Sequence, residues 1–392
     1  MSAAHVIGRM SFKVSQQDQL IDLSIVEGEE SISEFGDHWD DLFDRAVDAP
    51  PYLARPWVST FIEAGRLFGT AVFILAWCED RLVALFPLAV RKLLGIKVAV
   101  PIGTGQSSYL GLLLDPDYRS VINCIATIIS SKKVFDVFYN TDLYAKDSAT
   151  NDLLLRLTEK GYFCRSVFRN PTHYIQLGYS FDEYLKQKIP KGKRRYKLRC
   201  KEKKLFQSAD VKIERYTGRA VTSEINKRVA EVQLESWMKR RGGAVLWQPF
   251  YQKLLGNMAK AGFSYVWLMA INGDDAAFAY TFVAHGNLHY YWPAFKLKYE
   301  SSLSVGQILL MQLIRDACNG GIVSFDFLHG DAEYKRFWAT NTSRVDRIIL
   351  GRGCRGLLIA MFYYLAWWLA NVDCLHSSYH RMKSAFTRIK QN

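Results

Sequence analysis

Apolar residues near the start of the chain recur at intervals of three and four, at Ile32, Phe35, Trp39, Leu42 and Phe43. This spacing predicts a helix over residues 33–46, because positions three and four apart share one helical face. A second helix is expected from Pro56, since proline is favoured in the first turn of a helix. Further on, the apolar runs 71–77 and 82–90 flank a short polar stretch and predict a β-hairpin.

The second half of the chain has a similar order of patterns. Two apolar runs flank Asn272-Gly273, a pair that tolerates the positive φ of a tight turn, and they predict a second hairpin. A strand, a helix and a strand follow, at residues 288–295, between Ser304 and Gly320, and at 322–328. We therefore expect an α/β (α+β) chain of two tandem units, each with a mixed central sheet flanked by helices.

Positive charge is concentrated in two zones of the sequence. The chain has 392 residues and a formal net charge of +13. Residues 186–204 carry eleven basic side chains and one acidic, residues 344–392 carry eight and two, and the rest is nearly neutral. With 49% apolar and 14% aromatic residues, the composition excludes a wholly disordered chain.

The cysteines and the two ends of the chain bear on its location. Seven widely spread cysteines without a C-x-x-C pair favour a reducing compartment and argue against a zinc site, so no metal is expected. Residues 1–20 lack the apolar run of a signal peptide and are expected to be mobile, which favours the cytoplasm. The uncharged stretch 356–372 fits either a buried terminal helix or one inserted into a membrane surface.

The most specific string in the chain is DFLHGDAEYKRFW, at residues 326–338. It resembles the DFL-x-G-D-x-x-YK signature of the CelD/BcsL-type acetyltransferases. This bacterial family of the GNAT acyltransferase superfamily is found with cellulose and exopolysaccharide synthesis. Further resemblances follow in the same order along residues 23–350: Trp39–Leu42, Tyr52–Trp57, Arg81–Leu88, Lys193–Leu205, Ser236-Trp237 and the segment from Tyr299 to Leu310.

This resemblance implies two tandem GNAT-like domains, as in the Fem peptidoglycan aminoacyltransferases. The implied division is a mobile segment at 1–20, a first domain at 21–180, a basic helical connector at 181–209, a second domain with the donor site at 210–350, and an apolar helix with a basic tail at 351–392. GNAT proteins take an acyl group from coenzyme A, whereas Fem proteins take an aminoacyl group from tRNA. The resemblance therefore supports acyl transfer more directly than it supports one donor.

The donor site is expected at the start of the helix after Tyr299. In GNAT proteins the coenzyme A pyrophosphate binds at this place, so the resemblance implies that Ser304, Val305, Gly306 and Gln307 bind acetyl-CoA or another acyl-CoA. Free N–H groups and the helix dipole favour an anion there. An ordinary capped helix is the alternative.

The string at 326–338 supplies candidate catalytic groups. Acyl transfer needs a base, a donor to the oxyanion and a proton for the leaving atom. We assign Asp331 and His329 to the first task, Lys335 to the second and Tyr334 to the third. Trp237, Tyr299 and Asp326 are expected at the substrate site, with Asp326 also accepting backbone hydrogen bonds. The alternative is a structural ion-pair network of Asp326, Asp331 and Lys335.

The two basic zones indicate polyanionic partners. Residues 186–204 and 352–390 would suit an anionic membrane surface, and the first zone would also suit coenzyme A phosphates, a polyanionic glycan precursor or tRNA. A solvated basic face is the alternative. No recognisable DNA-binding motif is present, so sequence-specific DNA binding is not expected.

The resemblance implies an acyl-CoA dependent acyltransferase, and it alone implies a role in cell-surface polysaccharide metabolism. The enzyme would make an N- or O-acyl product on a sugar, lipid-linked or amine acceptor, in the cytoplasm or at the inner face of the membrane. Two alternatives stay open: a Fem-like aminoacyl-tRNA dependent transferase, and a non-catalytic scaffold docked to a membrane.

Overall fold

The computed structural model of the chain describes residues 5–14, 19–30, 32–93, 95–240, 242–299 and 304–371. Their strands are β1 His5–Val14, β2 Gln19–Glu27, β3 Thr70–Cys78, β4 Arg81–Leu93, β5 Ile96–Pro101, β6 Leu113–Leu114, β7 Val137–Tyr144, β8 Tyr162–Gln176, β9 Val211–Thr217, β10 Ser264–Ile271, β11 Asp274–Ala284, β12 Asn287–Phe295, β13 Ser324–His329 and β14 Asn341–Arg352. Their helices are α1 Ile32–Arg45, α2 Arg55–Glu63, α3 Val121–Lys132, α4 Ser148–Glu159, α5 Phe181–Lys188, α6 Gly192–Ser208, α7 Ser223–Leu234, α8 Trp237–Arg240, α9 Pro249–Lys260, α10 Val305–Asn319, α11 Glu333–Trp338 and α12 Gly353–Asn371.

The chain divides into two compact units, each assembled from separate stretches of sequence. Unit 1 takes Met1–Glu34, Leu67–Arg169 and Asp346–Asn392, and unit 2 takes Phe35–Arg66 and Asn170–Val345. Three of the borders fall inside α1, β8 and β14, so these elements contribute residues to both units.

Unit 1 has a mixed sheet in the order β1-β2-β3-β4-β5-β7. Neighbours from β1 to β5 are antiparallel, and β5 and β7 are parallel. The core forms where apolar residues of these strands meet α3 and α4, for example Ile74 with Ile125 and Leu153 in one buried cluster. The burial of these large aliphatic side chains stabilises the unit.

Unit 2 has a mixed sheet in the order β8-β13-β12-β11-β10-β9. Here β12 and β13 are parallel and the other pairs are antiparallel. Helices α5, α6 and α10 contribute to a core that includes Tyr184, Leu198 and Ile314, and α7 and α9 contact the strands of the same sheet. The parallel pairing ends at His289 and Asp326, although β12 continues to Phe295.

The predicted fold class is confirmed: both units are mixed sheets flanked by helices. The first predicted helix, both hairpins and the predicted strand–helix–strand order of the second half are present. At the second hairpin, Asn272 and Gly273 have φ angles of 51° and 80°. This pair of positive angles is the reason that Asn-Gly predicted the turn.

Two features of the organisation differ from the sequence analysis. Residues 5–14, expected within a mobile segment, form β1 because they pair with β2 from Val14↔Gln19 to His5↔Glu27. Residues 35–45 of α1 and the whole of α2, expected in the first domain, belong to unit 2. They do so because Trp57 packs on Phe282 of β11, with ring centroids 5.4 Å apart. The rest of the first twenty residues, 1–4 and 15–18, lies outside the described residues.

The predicted C-terminal apolar helix is present as α12. Within the described ranges, no helix is long and apolar enough to cross a membrane. The end of the apolar stretch, Val372, and the tail at 373–392 lie outside the described residues.

Candidate functional site

A cavity of about 750 Å³ opens in unit 2 where β12 continues beyond its pairing with β13. Its walls are mostly apolar and aromatic, and its rim carries cationic side chains. The lining residues come from α6, α8, β11, β12, α10 and α11, with Tyr299 and Ser304 between β12 and α10: Arg194, Lys197, Leu198, Lys201, Trp237, Phe278, Tyr290, Pro293, Ala294, Phe295, Tyr299, Ser304, Val305, Gly306, Gln307, Leu309, Leu310, Glu333, Tyr334, Phe337 and Trp338. Apolar pockets with a few convergent polar groups are typical of ligand sites.

One face of α6 supplies the cations at the cavity. Arg194, Lys197 and Lys201 lie three to four residues apart, so they share a helical face. Lys201 Nζ lies 3.4 Å from Gln307 Oε1 at the start of α10, and the Arg194 guanidinium lies 4.7 Å from the Phe337 ring centroid. The helix therefore concentrates positive charge at one side of an apolar cavity.

The orientation of α6 is set by its few residues that are not cationic. Leu198 and Leu205 are buried in the core of unit 2. Glu202, the only acidic residue of the first basic zone, accepts a hydrogen bond from Arg315 of α10 at 3.0 Å. Because these contacts anchor one side of the helix, part of the remaining cationic surface faces the cavity.

The start of α10 lines the cavity, and the structure shows a separate local role for Ser304 and for Gly306. Ser304 occupies the N-cap position with φ of 51°, and its side chain makes no capping hydrogen bond. A Cβ atom on Gly306 would lie 2.9 Å from Phe295 Cδ1. The glycine therefore lets α10 pack closely against β12. Residues 300–303, which precede Ser304, lie outside the described residues.

Tyr334 is the aromatic hydroxyl that α11 presents to the cavity. Its ring lies 6.2 Å from that of Phe327 and 6.5 Å from that of Tyr290, measured between centroids. Burial raises the pKa of Tyr334 to about 12, so its hydroxyl stays protonated at neutral pH. The other end of α11 is held by α5, where the Tyr184 hydroxyl donates to the backbone oxygen of Trp338.

The turn between β13 and α11 is strained and is held by two side chains. Leu328 is buried and has φ of 61°, a conformation that costs energy for a residue with a bulky side chain. Asp326 Oδ1 accepts the Leu328 N–H at 2.6 Å, and Lys335 Nζ donates to the backbone oxygens of His329 at 2.7 Å and Leu328 at 3.4 Å. We call Asp326, Leu328, His329 and Lys335 the loop cluster.

Burial lowers the pKa of Lys335 to about 8, and the negative charge of Asp326 opposes this shift. The ammonium group is therefore held in a poorly solvated position by carbonyl oxygens and a carboxylate. Its contacts are with the backbone of the turn, and Lys335 is absent from the described residues that line the cavity.

Asp331 lies at the surface beside α11. Its Oδ1 lies 2.7 Å from Arg336 Nη1 and 3.3 Å from His173 Nε2, and about half of its side chain is exposed. The hydrogen bond from Arg336, and then that from His173, lowers the pKa of Asp331. His173 itself is buried, and its Nδ1 lies 3.4 Å from Thr342 Oγ1.

A second group of charged residues lies beside the cavity and includes the lining residue Tyr299. We call Asp274, Lys296, Lys298 and Tyr299 the hairpin cluster. Asp274, the first residue of β11, accepts hydrogen bonds from all three others at 2.9 Å. Burial raises the pKa of Asp274, but the hydrogen bonds from Lys298, Lys296 and Tyr299 outweigh it and hold the pKa at about 2. Tyr299, which lines the cavity, therefore has its hydroxyl bound to Asp274.

The predicted site residues thus separate into two groups. Seven of them line the cavity: Tyr334, Ser304, Val305, Gly306, Gln307, Trp237 and Tyr299. The other four are not among the lining residues: Asp326 and His329 lie on β13, Asp331 in the turn that follows, and Lys335 on α11. The catalytic roles of His329, Asp331 and Lys335 stay predictions, and so does the alternative of an ion-pair network: Asp331 pairs with Arg336 and His173, and Lys335 donates to backbone oxygens.

Sequence analysis missed several lining residues. Arg194, Lys197 and Lys201 were recognised only as part of a basic zone, although their spacing on one helical face was readable. Tyr290, Phe295 and Phe337 carried no signal, because aromatic residues in strands and helices are usually core residues. Among the described residues, no group of three or more His, Cys, Asp or Glu is placed to hold a metal ion.

The segment that lines most of the cavity matches a known sequence family. The family model for an acetyltransferase (GNAT) domain matches residues 192–336, from the start of α6 into α11. Residues 192–336 are therefore similar in sequence to a GNAT acetyltransferase domain. This match covers the basic face of α6, the start of α10 and the turn before α11, and so includes most of the cavity lining. No curated protein matches the sequence significantly.

Two solved structures share the fold over most of the chain. The C-terminal domain of a protein described as a lysylphosphatidylglycerol synthetase from Agrobacterium fabrum is 11% identical, with a TM-score of 0.52, over 84% of this chain and 95% of that one. FemX is 14% identical, with a TM-score of 0.55, over 79% of this chain and 95% of that one. At these identities the likeness concerns the fold.

Proposed function

We propose that the protein is a GNAT-type acyltransferase that binds an acyl-CoA in the cavity of unit 2. The observation that carries the proposal is the combination of an apolar cavity with the cations of α6 at its rim, within the GNAT domain. An acyl-CoA has matching chemistry, because its phosphates are anionic and its pantetheine arm and acyl group are largely apolar.

The phosphates would bind near Arg194, Lys197 and Lys201. Arginine and lysine form charge-assisted hydrogen bonds with phosphate oxygens, and the N-terminus of α10 adds N–H groups and a favourable dipole. The acyl group would enter the apolar part of the cavity near Tyr290, Tyr334 and Phe337. This arrangement is supported by the lining of the cavity and by the match to the GNAT domain.

In the proposed reaction, the acceptor's hydroxyl or amine attacks the acyl carbon, the carbon–sulfur bond breaks, and coenzyme A leaves as a thiolate. Tyr334 would donate a hydrogen bond to the sulfur as its negative charge develops. A phenol with a raised pKa is suited to this role because it is protonated throughout the neutral range. Asp331 and His329 stay candidate bases for the proton that the acceptor loses.

The acceptor is proposed from the CelD/BcsL resemblance. We infer a sugar, lipid-linked or amine acceptor of cell-surface polysaccharide or exopolysaccharide metabolism. Both an N-acyl and an O-acyl product are compatible with the proposed reaction, since either nucleophile can attack the acyl carbon.

Ligand-induced thermal stabilisation tests the donor. A ligand that binds only the folded protein raises its unfolding temperature. We expect acetyl-CoA or a longer acyl-CoA to stabilise the wild type, and the double variant Lys197→Glu/Lys201→Glu to abolish this effect. The matched control is Lys203→Glu/Lys204→Glu, which changes the same charge on exposed positions of α6 outside the cavity. Stabilisation by no acyl-CoA would contradict the proposal and favour the scaffold function.

One observation favours a second donor, an aminoacyl-tRNA. Cations of α6 such as Lys193, Lys203 and Lys204 are exposed beyond the cavity, as an extended polyanion would require. If tRNA is the donor, charged tRNA stabilises the protein, and both double variants weaken its binding. If acyl-CoA is the donor, the control variant binds like the wild type.

A further inference from the structure

Helix α12 carries large apolar side chains on its solvent-exposed side. The exposed fractions are 66% for Leu358, 51% for Met361, 53% for Phe362 and 51% for Leu365. These positions are spaced by three, one and three residues, so they form one stripe along the helix. We call these four residues the α12 stripe. Contiguous exposed apolar side chains of this size usually mark an interaction surface.

The opposite side of α12 is firmly packed on unit 1. Ala360 is buried, and Ile359 packs against a cluster of Ile96, Val98 and Val137. At the start of the helix, a Cβ atom on Gly356 would lie 2.9 Å from the backbone oxygen of Asp136, so the helix approaches the end of β7 as closely as backbone permits. The stripe is therefore presented by a helix that is already docked on its own unit.

Positive charge accompanies the stripe. The exposed Arg165 of β8 has its guanidinium 5.4 Å from the ring centroid of Tyr364, one residue before Leu365. Two residues before Arg165, and so on the same face of β8, Phe163 is 51% exposed. In the sequence that follows α12, residues 372–392 contain Arg381, Lys383, Arg388 and Lys390 against one acidic residue, Asp373.

We propose that α12 docks unit 1 onto an anionic lipid surface. Large apolar side chains on one side of a helix enter the boundary between headgroups and acyl chains, to a depth of about 5–10 Å. Lysine and arginine near such a helix bind anionic headgroups, each contributing about 1 kcal/mol. A second copy of the chain is a poorer occupant, because a two-fold contact through the stripe would bring the Arg165 side chains of both copies together.

Vesicle flotation with the full-length protein tests this proposal. We expect the wild type to float with vesicles of phosphatidylcholine and phosphatidylglycerol, to float less with phosphatidylcholine alone, and to be released by salt. The variant Leu358→Gln/Phe362→Gln should lose about tenfold or more in partitioning, because it removes the largest apolar contacts. Arg165→Gln should lose about fivefold at low salt.

Leu155→Gln is the matched control, since Leu155 is 56% exposed on α4 of the same unit and should leave flotation unchanged. Far-ultraviolet circular dichroism of each variant checks that it is folded. Wild-type protein that stays with the bottom fraction, or a stripe variant that floats like the wild type, would overturn the proposal. Analytical ultracentrifugation provides a further check. The proposal would also be overturned if the wild type were a dimer, the stripe variant a monomer, and vesicle binding the same in both. None of these outcomes depends on which acyl donor the cavity binds.

Discussion

The hairpin cluster and the loop cluster each hold a segment that contributes a tyrosine to the cavity wall, but they are built with opposite charge at their centre. In the hairpin cluster the central group is the carboxylate of Asp274, which accepts hydrogen bonds from Lys296, Lys298 and Tyr299. In the loop cluster it is the ammonium group of Lys335, which donates to the backbone oxygens of Leu328 and His329.

The difference decides how each cluster responds to pH. Paired donors lower the pKa of Asp274 to about 2, so its charged form stabilises the folded state. Burial lowers the pKa of Lys335 to about 8, so its charged form is disfavoured in the folded state. Acid should therefore lower the contribution of Asp274 to the stability of the folded protein. Alkali should instead raise the stability of the folded protein, because Lys335 loses its proton more easily when it is buried. The two tyrosines differ as well: the Tyr299 hydroxyl is bound to Asp274, whereas Tyr334 is the proposed hydrogen-bond donor.

The largest expected effect is on turnover in Tyr334→Phe. Removing the proposed donor to the leaving sulfur should lower kcat about 100-fold, with little change in unfolding temperature, because the ring contacts with Phe327 and Tyr290 are kept. Release of free thiol from the acyl-CoA that stabilises the protein measures this rate. Tyr299→Phe is the matched control and should keep kcat within about threefold while losing stability. Equal loss of kcat in both variants would remove the distinction between the two tyrosines.

Asp274→Asn should cause the largest loss of stability, about 2 kcal/mol at pH 7, because Lys296 and Lys298 lose their shared carboxylate. The folded-state pKa lies below the unfolded one, so this contribution is present above about pH 3.8 and is lost as the pH falls towards 2. Urea unfolding of both proteins at several pH values measures the difference. A gap between wild type and variant that persists at pH 2 would contradict this account.

Lys335→Met should lower the free energy of unfolding by less, about 1 kcal/mol at pH 7. The lost hydrogen bonds to backbone oxygens are partly offset by the removal of a buried charge. Since the folded-state pKa of about 8 lies below the ordinary value of 10.5, the unfolded wild type binds the extra proton between these values. The stability of the wild type relative to the variant should therefore rise from pH 8 to 10.5. A constant difference over this range would show that the ammonium group is not buried as described.

Asp331→Asn should have the smallest effect. Its carboxylate is half exposed, and exposed ion pairs such as Asp331–Arg336 contribute little to stability. Of the two candidate bases, Asp331 is the more exposed to water, so with His329 as the base we expect turnover within about twofold of the wild type and an unchanged unfolding temperature. A large fall in kcat at full stability would instead support Asp331 as the base and would extend the site from the cavity to this side of α11.

Local features of the fold could be predicted because they depend on residues a few positions apart. The three- and four-residue spacing of Phe35, Trp39 and Leu42 gives the buried face of α1, and Asn272-Gly273 forms the turn between β10 and β11. The string at 326–338 could be recognised as a candidate site, and Tyr334 within it does line the cavity. The assembly of units from separate stretches was not readable, because it depends on contacts between residues distant in sequence, such as the packing of Trp57 on Phe282.

The sequence alone determined the α/β class, the hairpins, the helices next to the cavity and the resemblance to acetyltransferases, since periodicity and turn chemistry are local properties. Only the tertiary structure decided which side chains face the cavity. On α11, Tyr334 lines the cavity, whereas the next residue, Lys335, turns away from it and donates to backbone oxygens of Leu328 and His329. In the same way, the contact between Glu202 and Arg315, distant in sequence, turns Arg194, Lys197 and Lys201 of α6 towards the cavity.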